Sequence, residues 1–145
     1  MDLAPRVAAY AAYYEHMTAA NVGDLRALVA PDVHFRDPFN DVRGAEHMQR
    51  CLATAFKDAT EVRFQVLDHA LSGDVAYLRW RFWCKPKRLK LDAPWLIDGM
   101  SEVRFNAQGL VVEHLDHWDA GGQFYARLPL VGGLIRWLQK RLRVA

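Results

Sequence analysis

The sequence predicts an α+β domain in which helices cover a strongly bent antiparallel sheet with an internal pocket. Apolar residues recur at helical spacing up to about Phe56, and from Val62 onward they alternate every second residue. Short turns such as Ser72-Gly73-Asp74 join the alternating segments. Strands joined by tight turns pair antiparallel, and helices gathered at the start of a chain must cover one face of the sheet.

Length and composition further restrict the possible classes of fold and function. The chain has 145 residues, which predicts a single domain over 1–145. It is 52% hydrophobic and 25% charged, which excludes disordered and low-complexity classes. The formal net charge of +2 is too balanced to indicate nucleic-acid binding by the whole domain.

The N-terminal part is predicted to hold three helices and one short strand. Proline near the start and Asn21-Val22-Gly23 at the end delimit the first helix, and Pro31 stops the second. Pro38 and the following polar turn end the strand. The predicted bounds are helices 5–20, 24–30 and 44–56 and a strand over 33–37.

The remainder is predicted to be four strands and a closing helix, which gives the order ααβαββββα. The Ala107-Gln108-Gly109 turn separates the last two strands, and Gly121-Gly122 ends the sheet. The predicted strands begin near 62, 76, 95 and 110, and the helix covers 130–143.

The cysteine content and the lengths of the apolar runs indicate in which cellular compartment the protein is expected. Cys51 and Cys84 cannot define a disulfide scaffold, and no apolar run approaches the roughly 18 residues of a membrane span. We therefore expect a cytoplasmic protein with reduced thiols.

Three segments of the chain resemble a known family. They are Asn21-Val22-Gly23-Asp24-Leu25, Phe35-Arg36-Asp37-Pro38 followed by Gly44, and Val103-Arg104-Phe105-Asn106 continuing to Trp118. Together they resemble the SnoaL-like branch of the nuclear-transport-factor-2-like superfamily, whose members include ketosteroid isomerase, limonene epoxide hydrolase, scytalone dehydratase and polyketide cyclases. The resemblance implies the cone-shaped fold over nearly the whole chain. It says less about function, since this fold hosts catalysts, binders and structural subunits.

The comparison with ketosteroid isomerase can be made position by position. Its general-base aspartate lies in a strand-end Asp-Pro step, which Asp37 matches. Its oxyanion-hole tyrosine position is taken by His16, five residues before the Asn-x-Gly-Asp turn, and its oxyanion-hole aspartate position by Ser101. Asp98 falls on the opposite face of that strand. Two of the three catalytic positions differ, which argues against ketosteroid isomerase activity itself.

Asp37 is the main catalytic candidate. A carboxylate at the mouth of an apolar cone would have its pKa raised by desolvation, which suits a general base. The alternatives are that Asp37 caps a turn or that Arg43 folds back onto it as an ion pair.

His114, Asp116 and Trp118 form a second candidate group, since alternation puts them on one strand face. The resemblance implies that this face lines the pocket, where Asp116 and His16 would polarise the substrate and His114 would orient them. The alternatives are a solvent-facing ladder, and for His16 a core position. A metal site formed by His16, His114 and a carboxylate lacks any compact ligand spacing, so no metal and no cofactor are expected.

The predicted ligand is a small apolar organic molecule. The candidates for binding it are Tyr13, Phe35, Trp80, Phe82, Ser101, Val103 and Trp118. Cofactor-free acid–base chemistry is the favoured function, as isomerisation, dehydration, cyclisation or hydrolysis. The rivals are a binding module without catalysis and an interaction protein whose pocket is filled by side chains.

Two surfaces are candidates for larger partners. Tyr77, Arg79, Arg81 and Trp83 lie on the face away from the pocket, and we expect a homodimer through that face. The closing helix has an apolar stripe and no acidic residue, so it packs on its own domain or its partner, or contacts an anionic membrane surface. The basic stretch from Arg79 to Lys90 is read as solvated surface, without nucleic-acid binding.

Overall fold

The N-terminal helices follow the predicted apolar spacing. In the computed structural model, which describes residues 1–145, α1 spans Ala4–His16, a 3₁₀ helix spans Val22–Ala27, and α2 spans Ala45–Asp58. Helix α1 buries one face at helical spacing, namely Val7, Tyr10, Ala11 and Tyr14. It ends at His16, four residues before the predicted end at Ala20.

Six strands make up a single sheet. The strands are β1 (Val29–Arg36), β2 (Asp41–Arg43), β3 (Ala59–Ser72), β4 (Val75–Pro86), β5 (Trp95–Phe105) and β6 (Val111–His117). Their spatial order is β2-β1-β6-β5-β4-β3. Tight turns join β3 to β4 and β5 to β6, as the sequence predicts, and these neighbours pair antiparallel.

The sheet is mixed, and this corrects the prediction of an antiparallel one. Strand β1 runs parallel to β6, with Phe35 opposite His114. The two strands are far apart in the chain, and α2 and the four strands β2 to β5 lie between them. No local turn specifies that pairing, so the alternation within each strand could not reveal its direction.

The region around Pro31 also differs from the prediction. The expected helix over 24–30 is a 3₁₀ helix ending at Ala27, and β1 begins at Val29 and runs through Pro31. Proline is accommodated because the pairing of β1 with β6 is irregular between Val29 and His34. Strand β2, which was not predicted, pairs antiparallel with the end of β1.

The core lies between the helices and the concave face of the sheet. It joins the buried face of α1 to the inward side chains of the strands, including Leu25, Val33, Met48, Leu78 and Ile97. Strand β3 carries two register irregularities against β4, and Glu61 has φ 53° beside the first of them. Such bulges bend a strand, which helps the sheet to curve over the helices.

The C-terminal segment leaves the sheet after β6 and forms hydrogen bonds back to the β5 backbone through Gln123 and Arg127. It comprises α3 (Ala120–Gln123), a 3₁₀ helix (Tyr125–Arg127) and α4 (Val131–Leu142). Helix α4 packs mainly on α3 and this 3₁₀ helix, and its apolar stripe is exposed rather than packed on the domain. None of the helices has the length and apolar character required to cross a membrane.

Candidate functional site

A cavity of about 1100 Å³ opens between the helices and the concave face of the sheet. Hydrophobic residues make up 20 of the 32 that line it. Exposed charged residues, Lys57, Asp58, Lys87 and Arg88, mark its mouth, and buried His114 lies at its inner end. The size and lining suit a small, largely apolar organic molecule. An interaction protein with a filled pocket would not show this space.

His114 anchors a buried polar network at the inner end of the cavity. Its side chain is 2% exposed, and both ring nitrogens are engaged. Nε2 lies 2.7 Å from Asp116 Oδ1, and Nδ1 lies 2.8 Å from the Tyr10 hydroxyl. Because a carboxylate oxygen only accepts, we assign the imidazole proton to Nε2, with Nδ1 accepting from Tyr10.

The side-chain hydrogen bonds to Asp116 are all made to one of its two carboxylate oxygens. Ser101 Oγ donates to Asp116 Oδ1 at 2.5 Å and itself accepts from Trp80 Nε1 at 2.8 Å. Asp116 Oδ2 makes no hydrogen bond within the protein. No buried side-chain oxygen or nitrogen lacks a partner, so this oxygen is open to the cavity that Asp116 lines. The network thus presents one fixed and one free carboxylate oxygen.

Tyr14 extends the network toward the ligand space. Its hydroxyl lies 3.4 Å from that of Tyr10 and 3.5 Å from His114 Nδ1, both long for hydrogen bonds, and its side chain lines the cavity. Burial raises the pKa of Tyr14 well above its usual value, so the phenol keeps its proton. A protonated, loosely held hydroxyl can donate to a ligand oxygen.

Asp37 lies on the cavity wall and also caps the turn that follows β1. Its Oδ1 accepts from the backbone N–H groups of Phe39 and Asn40, both at 2.7 Å. The Asn40 amide lies 3.1 Å from Oδ1 and 3.2 Å from Oδ2. No ion pair with Arg43 forms. Both sequence-based readings of Asp37, cavity wall and turn cap, describe the same side chain.

Three predicted site residues lie away from the cavity. His16 is exposed at the end of α1, where its Nδ1 hydrogen-bonds to the carbonyl of Ala12, so it cannot polarise a ligand in the cavity. Tyr13 donates to the carbonyl of Val22 from the adjacent helix face. Val103 is fully buried in the core. His16 and Tyr13 are off the lining because α1 turns its Tyr10 and Tyr14 face, rather than the His16 face, toward the sheet.

The other predicted binding residues do line the cavity. They are Phe35, Trp80, Phe82, Ser101 and Trp118. Phe82 stacks on Phe64 with centroids 4.4 Å apart, and Trp118 meets Phe39 edge to face at 5.6 Å. This aromatic wall supplies apolar contact area and excludes water from the polar inner end.

Metal and thiol chemistry receive no support from the cavity. No three histidine, cysteine, aspartate or glutamate side chains converge in a way that could hold a metal ion. Cys51 and Cys84 are free and line the cavity, but burial raises the pKa of Cys84 to about 11 and also that of Cys51. Neutral thiols are poor nucleophiles.

The sequence analysis did not assign Tyr10 or Tyr14 to the polar network of the site, although Tyr14 was among the aromatic residues expected in the core or the pocket wall. Their spacing of four residues puts them on one face of α1, and that signal was available. What the sequence did not reveal is that this face meets His114, 104 residues away from Tyr10 in the chain.

Comparisons with known proteins agree with the fold. A protein from Catenulispora acidiphila with a ketosteroid isomerase-like fold, solved with trimethylamine, matches with a TM-score of 0.70 and 16% identity over 83% of this chain and 89% of that one. An NTF2-like protein of unknown function from Burkholderia pseudomallei matches with a TM-score of 0.68 and 16% identity, over 94% and 97%. An epoxide hydrolase of M. tuberculosis, similar to limonene epoxide hydrolases, matches with a TM-score of 0.64 and 13% identity, over 99% and 94%.

At these identities the structural matches show the fold alone. A search of curated proteins finds no significant match. The model of the SnoaL-like domain matches residues 10–114, which is well over half of the chain and runs from Tyr10 to His114, the two ends of the buried hydrogen bond. The chain therefore belongs to the SnoaL-like domain family.

Proposed function

We propose that the protein is a cofactor-free acid–base enzyme acting on a small, mostly apolar organic molecule. The observation that carries the proposal is the asymmetry of Asp116. Oδ1 is fixed by His114 and Ser101, and Oδ2 is free at the inner end of an apolar cavity. A carboxylate held in one orientation, with one oxygen open to the ligand, is the arrangement that proton transfer requires.

The neighbouring groups have distinct roles in this proposal. Asp116 Oδ2 removes a proton from the substrate or from a water, and His114 and Ser101 keep the carboxylate in place. The Tyr14 hydroxyl donates to a substrate oxygen that becomes negative as the proton leaves, in the manner of an oxyanion hole. Proton abstraction next to a carbonyl and activation of water both fit, so isomerisation, dehydration, cyclisation and hydrolysis remain the candidate reactions.

Asp37 is proposed as a second acid–base group rather than the main one. The resemblance to ketosteroid isomerase favours it as the base, and it lines the cavity. Both of its oxygens, however, accept hydrogen bonds from the turn it caps. Proton transfer at Asp37 would compete with those bonds, whereas Asp116 Oδ2 has none to lose.

The test combines ligand discovery with matched variants. Native mass spectrometry of freshly purified protein identifies any small molecule that co-purifies. In parallel, deuterium uptake from heavy water is measured for a panel of cyclic ketones, with Asp116→Asn and Asp37→Asn as the paired variants. We expect Asp116→Asn to lower exchange by about 10²-fold or more, within the usual range for loss of an acid–base group, and Asp37→Asn to lower it less.

The outcomes separate the rival functions. Equal exchange by wild type and Asp116→Asn would reject Asp116 as the base. A co-purifying ligand that binds wild type and Asp116→Asn equally, with no turnover by either, would identify the alternative, a binding module without catalysis. The apolar lining favours that alternative over a protein-interaction module, which would not retain an open cavity.

We further propose that two copies pair through the convex face of the sheet, in the cytoplasm. The apolar side chains of Tyr77 and Met100 are exposed on that face, and Arg81 pairs with Asp98 beside them at 2.8 Å. Exposed apolar groups among ordered charges are a common interface composition. Both cysteines are free, which suits a reducing compartment.

A further inference from the structure

Helix α4 packs on the domain through the side that is poor in apolar residues. Gly132 is buried, and a Cβ there would come within 2.6 Å of the carbonyl oxygen of Ala126. Arg136 donates to the same carbonyl from the next turn. The contact involves Gly132, Arg136 and half-buried Ile135, and the leucine-rich side of the helix stays exposed.

The leucine-rich side forms an exposed apolar stripe. Leu134 is 57% exposed and Trp137 is 52% exposed. They are joined on the solvent side of the helix by Val131, Leu138 and Leu142, at intervals of three or four residues, with Leu130 just before it. Contiguous apolar surface of this kind marks a contact site, and no other part of the domain covers it.

The charge distribution of the chain indicates what covers the stripe. Residues 120–145 contain five basic residues and no acidic one, while residues 1–119 contain 14 basic and 17 acidic residues. None of the five forms an ion pair, and Lys140 and Arg143 make no side-chain hydrogen bond. Arg141 lies over the Trp137 ring at 5.2 Å, next to the stripe. Two copies facing each other here would bring like charges together, which disfavours a symmetric dimer at this helix.

We propose that α4 attaches the protein reversibly to an anionic lipid bilayer, with the stripe in the headgroup region. An amphipathic helix with leucine and tryptophan on one side, and lysine and arginine beside them, is the sequence type that lies in the plane of a membrane interface. Phe124 and Leu128, at the two ends of the 3₁₀ helix that α4 packs on, line the cavity. Attachment through α4 would therefore bring this part of the cavity wall near the bilayer, where an apolar substrate concentrates.

The test is flotation with lipid vesicles of two compositions. We expect the protein to float with an equal mixture of phosphatidylcholine and phosphatidylglycerol, to stay behind with phosphatidylcholine alone, and to detach as salt is raised. Leu134→Gln should weaken binding by about tenfold or more, since it removes an apolar anchor. Lys140→Gln with Arg143→Gln should weaken it about fivefold for each charge removed.

Matched controls separate the stripe from general surface effects. Leu71→Gln removes a leucine that is 41% exposed on β3, and Arg36→Gln with Arg43→Gln removes two exposed cations near β2. Both controls should bind vesicles as wild type does. All variants are checked for the wild-type circular dichroism spectrum and melting temperature.

Three results would overturn the proposal. Equal recovery of the protein with neutral and anionic vesicles would show that binding does not require anionic lipid. If the control variants weakened vesicle binding as much as the α4 variants do, α4 would not be the contact. A dimer in solution that Leu134→Gln dissociates, with no vesicle binding by wild type, would make the stripe a subunit interface instead. The outcome does not depend on catalysis, because it is read by flotation.

Discussion

At the scale of single residues, Ser101 links the two halves of the polar network. It accepts from the buried indole of Trp80 and donates to Asp116, so one hydroxyl serves as acceptor and donor at once. Its position is the one that the resemblance to ketosteroid isomerase aligns with an oxyanion-hole aspartate. In this chain the carboxylate stands instead at Asp116, directly opposite Ser101 on the neighbouring strand β6. In the proposed function this carboxylate acts as the base and not as an oxyanion-hole donor.

We predict that Ser101→Ala lowers the free energy of unfolding by about 1–3 kcal/mol, because it leaves the Trp80 N–H without a partner inside the protein. The double variant Trp80→Phe, Ser101→Ala should cost less than the sum of the single changes, since no unpaired N–H remains. Urea denaturation measures both.

The control is Ser72→Ala, which alters an exposed serine at the end of β3 and should change stability by less than about 0.5 kcal/mol. If Ser101→Ala proves as stable as this control, the network contributes little to folding.

At the scale of elements, the pairing of β4 with β5 decides how the cavity wall is built. Trp80 lies opposite Gly99 in that register, and a Cβ at Gly99 would overlap the indole ring. Because Gly99 has no side chain, the Trp80 ring can lie against β5, and its Nε1 then reaches Ser101. Glycine weakens a strand interior, so a glycine there commonly marks a close approach of this kind.

Gly99→Ala should therefore destabilise the protein by about 1–3 kcal/mol, as overpacking does, and should displace the Trp80 ring. Thermal unfolding measures the loss of stability, and near-ultraviolet circular dichroism reports the displacement of the Trp80 ring. Gly133→Ala on α4 is the matched change, because nothing lies within 4 Å of its Cβ, and it should leave stability equal or higher. Identical unfolding of the Gly99→Ala variant and wild type would contradict this packing argument.

At the scale of the whole molecule, three surfaces have separate roles. The concave face of the sheet holds the cavity, the convex face holds the proposed subunit contact, and α4 carries the proposed lipid contact. The strand alternation separates the first two, since Leu78, Trp80 and Phe82 face inward while Tyr77 and Arg79 face outward. A dimer through the convex face would leave both the cavity and α4 accessible.

We predict a dimer at micromolar concentration in analytical ultracentrifugation. Tyr77→Glu with Met100→Glu should dissociate it, because burying two unpaired carboxylates in an apolar contact is unfavourable. Leu142→Glu, at a more exposed apolar site on α4, should leave the dimer intact. A monomeric wild type would reject the subunit contact, and dissociation by Leu142→Glu alone would move it to α4.

Local patterns in the sequence determined α2 and α4 near their true bounds, the start of α1, the four long strands, and which residues share a face of those strands. Alternation fixes which side chains share a face, and the resemblance implied that the face with His114, Asp116 and Trp118 lines the pocket, where the structure places these three side chains. The turn residues fix the antiparallel pairs. These features depend on residues that are close together in the chain, and a sequence pattern reflects only such residues.

Only the tertiary structure decided the rest, because it depends on contacts between distant segments. The parallel pairing of β1 with β6, the meeting of Tyr10 with His114 and the exclusion of His16 each follow from how α1 and β1 are placed against the sheet. The orientation of α4 is also decided by contacts between segments that are distant in the chain. Its amphipathic pattern was readable, but only the close approach of Gly132 to Ala126 shows that the stripe faces solvent.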